Sequence, residues 1–340
     1  MKKVLIIAEA GVNHNGDIMI AKKLIDAASH AKADYVKFQS FKADKLVSPT
    51  AKKAEYQSKN IGDNDDFQYN MLKKLELSNQ DHIELISYCK KKDIKFFSTA
   101  FDVDGVEYLN SLKLDRFKIP SGELTNFPYL KAVAKTNLPV ILSTGMASLE
   151  EVRDSVNVLI KYGTNKDELT ILHCNTDYPT SMSDVNLKAM SSMAKFFGLN
   201  VGYSDHTLGI EVPIAAVSLG ATVIEKHFTL DRSLSGPDHK ASLEPEELKK
   251  MVESIRNIEK AISGNGVKEP SKSELKNIVI ARKSIHLSKD LLVGSIITEK
   301  DIIPLRPGDG ICSMNWEEII GKRINKNLNK YTKLKWDDLS

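Results

Sequence analysis

Hydrophobic and polar positions recur along this chain in a fixed order. Short apolar runs rich in β-branched residues occupy 3–9, 35–39, 95–99, 116–119, 140–143, 170–175, 200–204 and 222–227. A polar or glycine-containing turn follows each. Most gaps then carry apolar residues at three-to-four-residue spacing, as in 21–30, 81–91, 149–161 and 245–262, which predicts amphipathic helices. Strands alternating with helices predict a parallel sheet, because parallel neighbours need a crossover and the crossover helix covers the sheet. Eight such units match the ~250 residues of a (β/α)8 TIM barrel, an α/β fold. The rival doubly wound sheet would carry a GxGxxG after its first strand, and this chain has none there. The polar stretch 42–78 breaks the rhythm after the second strand and reads as a loop on the catalytic face, poised as a lid.

The pattern changes near residue 263. A Gly-, Ser- and charge-rich segment, 263–277, reads as a linker. Beyond it, 288–302 (SKDLLVGSIITEKDI) echoes 325–339 (NKNLNKYTKLKWDDL), with Tyr331 where the first copy has Gly294. The expected domains are a barrel over 1–262, a linker over 263–281 and a small domain over 282–340.

Composition narrows the function classes. A 340-residue chain that is 41% hydrophobic and 27% charged is an ordinary globular protein, and its net charge of +3 leaves no footprint for nucleic acid or membrane. Cys89, Cys174 and Cys312 are scattered, without a CxxC pair, as reduced thiols are in a cytoplasmic protein. The apolar stretch near the start is broken by Glu9, and no later run reaches the ~18 apolar residues of a membrane span.

Barrel enzymes carry their catalytic groups at the C-terminal ends of the strands. Here those ends read Glu9; Lys37 and Gln39; Ser98 and Thr99; Lys118 and Ser121; Ser143 and Thr144; Asn175 and Thr176; Ser204, Asp205 and His206; and Glu225, Lys226 and His227. Some will only cap helices. His206 and His227 end neighbouring strands and are candidate ligands for a divalent metal, with open coordination positions suited to Lewis-acid work. Lys37 and Lys118, with Thr99, Ser121 and Ser143, supply cations and hydroxyls for a phosphate and a carboxylate. A Schiff-base role for Lys118 or Lys226 is the alternative. Glu9, Glu123 and Asp238 are candidate carboxylates for proton transfer or sugar binding.

The strings IIAEAGVNHNGD, YVKFQSFKADKL, KAEYQ, FKIPSGE, ILSTGMAS, LHCNTDYPT, GYSDHTLG, EKHFTLD, SGPDHKASLEP and RPGDGI stand in this order over nearly the whole length. By them the chain resembles the bacterial sialic acid synthases, whose fold is a (β/α)8 barrel followed by an antifreeze-like (SAF) domain. The resemblance implies condensation of phosphoenolpyruvate with the open-chain aldehyde of N-acetylmannosamine and water, giving N-acetylneuraminate and phosphate. A 2,4-diacetamido-2,4,6-trideoxymannose, giving legionaminic acid, is the alternative substrate.

The same resemblance implies a divalent metal, usually Mn2+ with Mg2+ or Co2+ as substitutes, on His206 and His227. It implies phosphoenolpyruvate contacts from Lys37, Thr99, Lys118, Ser121, Ser143, Thr176 and Ser204. Glu9, Gln39, Tyr178 and Asp238 would lie near the amino sugar, and the chemistry of the condensation leaves Glu9 or Glu123 to steer water or protons. Arg306 would reach the sugar's acetyl group across a domain-swapped homodimer. Two departures stand out. The chain reads HCNT where some members read HCTN, leaving Asn175 or Thr176 for one contact, and LVG and KYT replace the usual Lys-Gly turns of the tail. A non-catalytic sugar- or ice-binding protein is the reading from another class.

Overall fold

The structure, a computed structural model, describes residues 3–62 and 65–340. They form two compact units, one ending at Gly264 and one spanning Asn265–Ser340. In the first, β1 (Leu5–Gly11), α1 (Ile18–His30) and β2 (Tyr35–Ser40) are followed by an insertion holding α2 (Ala43–Leu46), α3 (Glu55–Ile61) and α4 (Gln68–Leu75). Then come α5 (Asn79–Lys91), β3 (Lys95–Ala100), α6 (Val103–Ser111), β4 (Phe117–Ile119), α7 (Phe127–Ala134), β5 (Val140–Ser143) and α8 (Leu149–Tyr162). The unit closes with β6 (Leu169–His173), α9 (Lys188–Phe197), β7 (Asn200–Asp205), α10 (Glu211–Ser218), β8 (Val223–His227) and α11 (Pro245–Ala261). Every strand falls on one of the eight apolar runs.

The strands pair in parallel in the order β3-β2-β1-β8-β7-β6-β5-β4, and the two ends of that order lie against each other to close a barrel. Successive side chains alternate between the two faces of a strand, so each strand serves two cores. Outward residues such as Ile6, Val36, Phe38 and Ile224 pack under α1, α5, α10 and α11. Inward residues Ile7, Tyr35, Phe97, Ile141, Leu172 and Val223 meet in the middle and plug the barrel. Helix starts follow local chemistry: Asp17, Ser78, Asp102, Asn126 and Ser148 each accept a backbone N–H of the first turn.

Two expectations change. The stretch 42–78 is not an open loop; its three short helices pack through Val12, Phe41, Met71 and Leu75. The segment 263–281 is not an extended linker throughout, because it contains α12 (Lys272–Ala281). Ser271 and Glu274 form a capping box at its start, a local signal outweighed in the sequence by the surrounding Gly, Pro and Lys. Among the described residues no helix is long and apolar enough to cross a membrane.

The second unit adds β9 (Ser284–Leu287), β10 (Ile302–Leu305) and α13 (Trp316–Ile319) around Ile285, Ile297, Ile311, Ile324 and Leu334. The faint repeat is a physical symmetry. Leu291 and Leu328 exchange backbone hydrogen bonds, and Gly294 N–H to Ile324 C=O is mirrored by Tyr331 N–H to Leu287 C=O. Lys289 pairs with Asp301 at 2.6 Å and Lys326 with Asp338 at 2.6 Å. Gly294 and Tyr331 take the same left-handed backbone, at φ of 85° and 68°.

Candidate active site

Directly above the plug the inward positions turn polar. Glu9, Lys37, Thr99, Lys118, Ser143, Ser204 and Glu225 form this layer, all buried. Above them a cavity of about 350 Å3 opens at the C-terminal ends of the strands, and Gln39, Ser121, Cys174, Thr176, Tyr178, His206 and His227 also line it.

The floor is a charged quartet. Lys37 Nζ lies 2.8 Å from Glu9 Oε2 and 3.7 Å from Glu225 Oε2, and it donates to Thr99 Oγ1 at 3.2 Å. Lys118 Nζ donates to Glu225 Oε1 at 2.7 Å, and Ser204 Oγ donates to the same oxygen at 3.1 Å. Gln39 Nε2 donates to Glu9 Oε1 at 3.3 Å. Burial raises the Glu9 carboxyl to about 7 against the pull of Lys37. At Glu225 burial also opposes ionisation, but Lys118 and Lys37 outweigh it and hold the carboxyl at about 2. Burial works against charge at Lys37 too, and Glu225 and Glu9 overcome it and raise the ammonium above its usual range. At Lys118 burial wins and lowers it. Two ammonium groups and two carboxyls thus share the floor, and of the carboxyls Glu9 is held the nearer to protonation.

Two hydroxyls converge beside Gly145. Gly145 N–H donates to Ser121 Oγ at 2.9 Å. A Cβ at Gly145 would come within 2.3 Å of Thr176 Oγ1, so only glycine lets these two hydroxyls approach. Thr176, and not Asn175, faces the cavity. Asn175 Nδ2 instead donates to Asp184 C=O at 2.9 Å.

The two histidines meet with ring centroids 5.3 Å apart. Burial lowers His206 to about 4 and His227 well below its usual value, so both rings are neutral. His206 Nδ1 faces the Asn175 carbonyl, which only accepts, so the proton is on Nδ1 and Nε2 keeps its lone pair. His227 Nδ1 is buried without a hydrogen-bond partner. Two neutral imidazoles with free lone pairs fit a divalent ion. Among the described residues no third His, Cys, Asp or Glu completes a cluster with them.

The remaining predicted residues are placed as follows. Asp238 is behind His227, its Oδ2 3.9 Å from Nδ1, and burial raises it to about 6. Glu123 is not among the lining residues; its carboxylate accepts from Asn126 Nδ2. Arg306 belongs to the second unit, where Nε donates to Ala281 C=O at 2.9 Å. Lys226 turns away from the cavity and bonds Asp205 at 2.6 Å, which removes it as a Schiff-base candidate.

Other lining residues had no assigned role. Glu225 shares its face with His227 by the alternation of a strand, a signal present in the sequence. Tyr56 and Gln68 come from the insertion, and Phe101 and Met146 from loops, where no periodicity points to them. The Tyr56 ring stacks on Tyr178 at 5.1 Å, and Tyr178 lies 4.1 Å from the His206 ring.

The model of the NeuB family matches residues 24–268, and that of the SAF domain matches 282–340. An N,N'-diacetyllegionaminic acid synthase of Campylobacter jejuni is 56% identical over 96% of this chain and 97% of its own length. One of Legionella pneumophila is 52% identical over 98% and 94%. A crystal structure of the N-acetylneuraminic acid synthetase of Leptospira borgpetersenii superposes with a TM-score of 0.70 and 36% identity, covering 82% of this chain and 90% of that one. A NeuB match over most of the barrel, followed by a SAF match to the end, agrees with the two units of the structure: the chain belongs to the NeuB family.

Proposed function

We propose that the protein condenses phosphoenolpyruvate with the aldehyde of 2,4-diacetamido-2,4,6-trideoxymannose and water, releasing phosphate and forming N,N'-diacetyllegionaminic acid. The observation that carries the reaction type is the buried Lys37–Glu9–Glu225–Lys118 quartet beside two neutral histidines. The choice of sugar rests on the two legionaminic acid synthases, similar over nearly the whole chain, and they favour it over N-acetylmannosamine.

Lys37 and Lys118 hold the phosphate and carboxylate, with Thr99, Ser121, Ser143, Thr176 and Ser204 as hydroxyl donors. C3 of phosphoenolpyruvate attacks the aldehyde carbon, whose oxygen takes a proton. Water adds to the cationic C2, and the tetrahedral centre collapses with C–O cleavage to expel phosphate. Glu9 is the proposed proton carrier, Gln39 and Tyr178 contact the sugar, and Asp238 backs His227 on the sugar side. His206 and His227 would hold a divalent ion such as Mn2+, which would supply Lewis-acid polarisation of a carbonyl. Arg306 serves the cavity of a second copy.

Parallel steady-state assays of phosphate release with the two sugars test this reading. A kcat/KM at least tenfold higher for the diacetamido sugar is expected; preference for N-acetylmannosamine overturns the sugar assignment. Trapping of free pyruvate on Lys118 by borohydride would replace the reaction itself.

A further inference from the structure

Beside each histidine of the cavity stands a residue that points the other way. Asp205 precedes His206, and Lys226 precedes His227. They are direct partners across β7 and β8, and strand alternation sends both to the outer face of the barrel wall. There Lys226 Nζ donates to Asp205 Oδ2 at 2.6 Å, with neither side chain exposed at all. Asp205 Oδ1 accepts from the N–H and Oγ1 of Thr207 at 3.0 and 2.8 Å, and Lys226 donates to the Thr207 carbonyl. The residues on either side of His206 are thus bonded to the one residue that precedes His227.

Cohesion does not account for this arrangement. Removing two charges from water costs about as much as their attraction returns, and well-packed apolar pairs often hold strands better. An apolar pair, however, tolerates sliding, whereas an ion pair with two further hydrogen bonds fixes one register and one direction. We propose that Asp205 and Lys226 are positioning residues: their ion pair sets the height of His206 against His227, and so the separation of the two imidazoles that hold the divalent ion. The inference rests on the metal reading given above.

The full-length protein is compared with Lys226→Arg and with the double variant Asp205→Leu/Lys226→Met. Stability is read by denaturant unfolding, Mn2+ affinity by electron paramagnetic resonance of the free ion, and the rings by NMR of 15N-histidine in metal-free protein. The double variant should fold but be less stable than the parent, because the buried N–H, hydroxyl and carbonyl of Thr207 lose their partners. It should bind Mn2+ 10–100-fold more weakly, the range seen when groups behind metal ligands are lost. A folded double variant with parental Mn2+ affinity overturns the proposal. If the double variant does not fold, Lys226→Arg decides: a several-fold loss of affinity supports the proposal and parental affinity refutes it. If the parent itself binds no divalent ion, the metal reading fails separately. Positioning is then judged on the NMR, where unshifted His206 and His227 resonances in a folded variant overturn it.

Discussion

Tyr56 reaches the cavity from α3, outside the strand ends where barrel chemistry is sought. Nothing in its spacing marks it, because an insertion is placed by tertiary packing and not by the period of the barrel. Glu225 differs: the step of two residues to His227 put it on the cavity face, and only the absence of a familiar pairing hid its role. Replacing Tyr56 by Ala should raise the sugar KM about tenfold and shift the phosphoenolpyruvate KM less than threefold, since a lost stacking face costs about 0.5–1.5 kcal/mol. Equal shifts in both constants in steady-state kinetics would remove Tyr56 from the sugar side. In the second unit Tyr331 occupies a left-handed backbone that its counterpart fills with Gly294. Tyr331→Gly should therefore stabilise the protein by about 1 kcal/mol, read as a higher midpoint in urea unfolding, because the strain of a non-glycine residue there is of that order.

The eight strands were legible because β-branched runs bounded by turns carry the strongest local signal, and of the polar residues at their ends Glu9, Lys37, Lys118 and both histidines line the cavity. The insertion helices were not: α2, α3 and α4 are too short for a convincing helical period and are fixed by contacts with Val12 and Phe41. The repeat in the tail was legible as sequence, and the structure gives it an electrostatic reading. Burial opposes the charge of Asp301 and Asp338, but Lys289 and Lys326 and the capping donors outweigh it, so both carboxyls are lowered on folding. A carboxyl lowered on folding stabilises above its unfolded value near 3.9 and loses that contribution as pH falls through the folded one. Asp301→Asn or Asp338→Asn should cost about 1 kcal/mol at pH 7, most of it from the cap because the exposed lysines are screened. The difference should shrink steadily below pH 4 in urea titrations; a constant difference down to pH 2 would contradict the assignment.

At the scale of the molecule, a net charge of +3 concealed a local concentration of charge, because the two lysines of the cavity stand against two carboxyls in the same cavity and cancel in the sum. If Arg306 completes the site of a second copy, Arg306→Ala and His206→Ala, each inactive alone, should complement after mixed refolding. Random pairing makes half of the dimers mixed, each with one intact site, so about a quarter of parental activity should return; none in the phosphate-release assay would place Arg306 elsewhere. The apolar plug of Ile7, Tyr35, Phe97, Ile141, Leu172 and Val223 has its own outcome at this scale. It fills the lower end of the barrel, so among the described residues the cavity opens at the C-terminal ends of the strands. Phosphate and the sugar acid must leave by the way the substrates entered, past the insertion that Asn60 and Lys240 tie to the last barrel loop. Traffic through that opening is therefore one-way at a time: the next substrate waits for both products to clear.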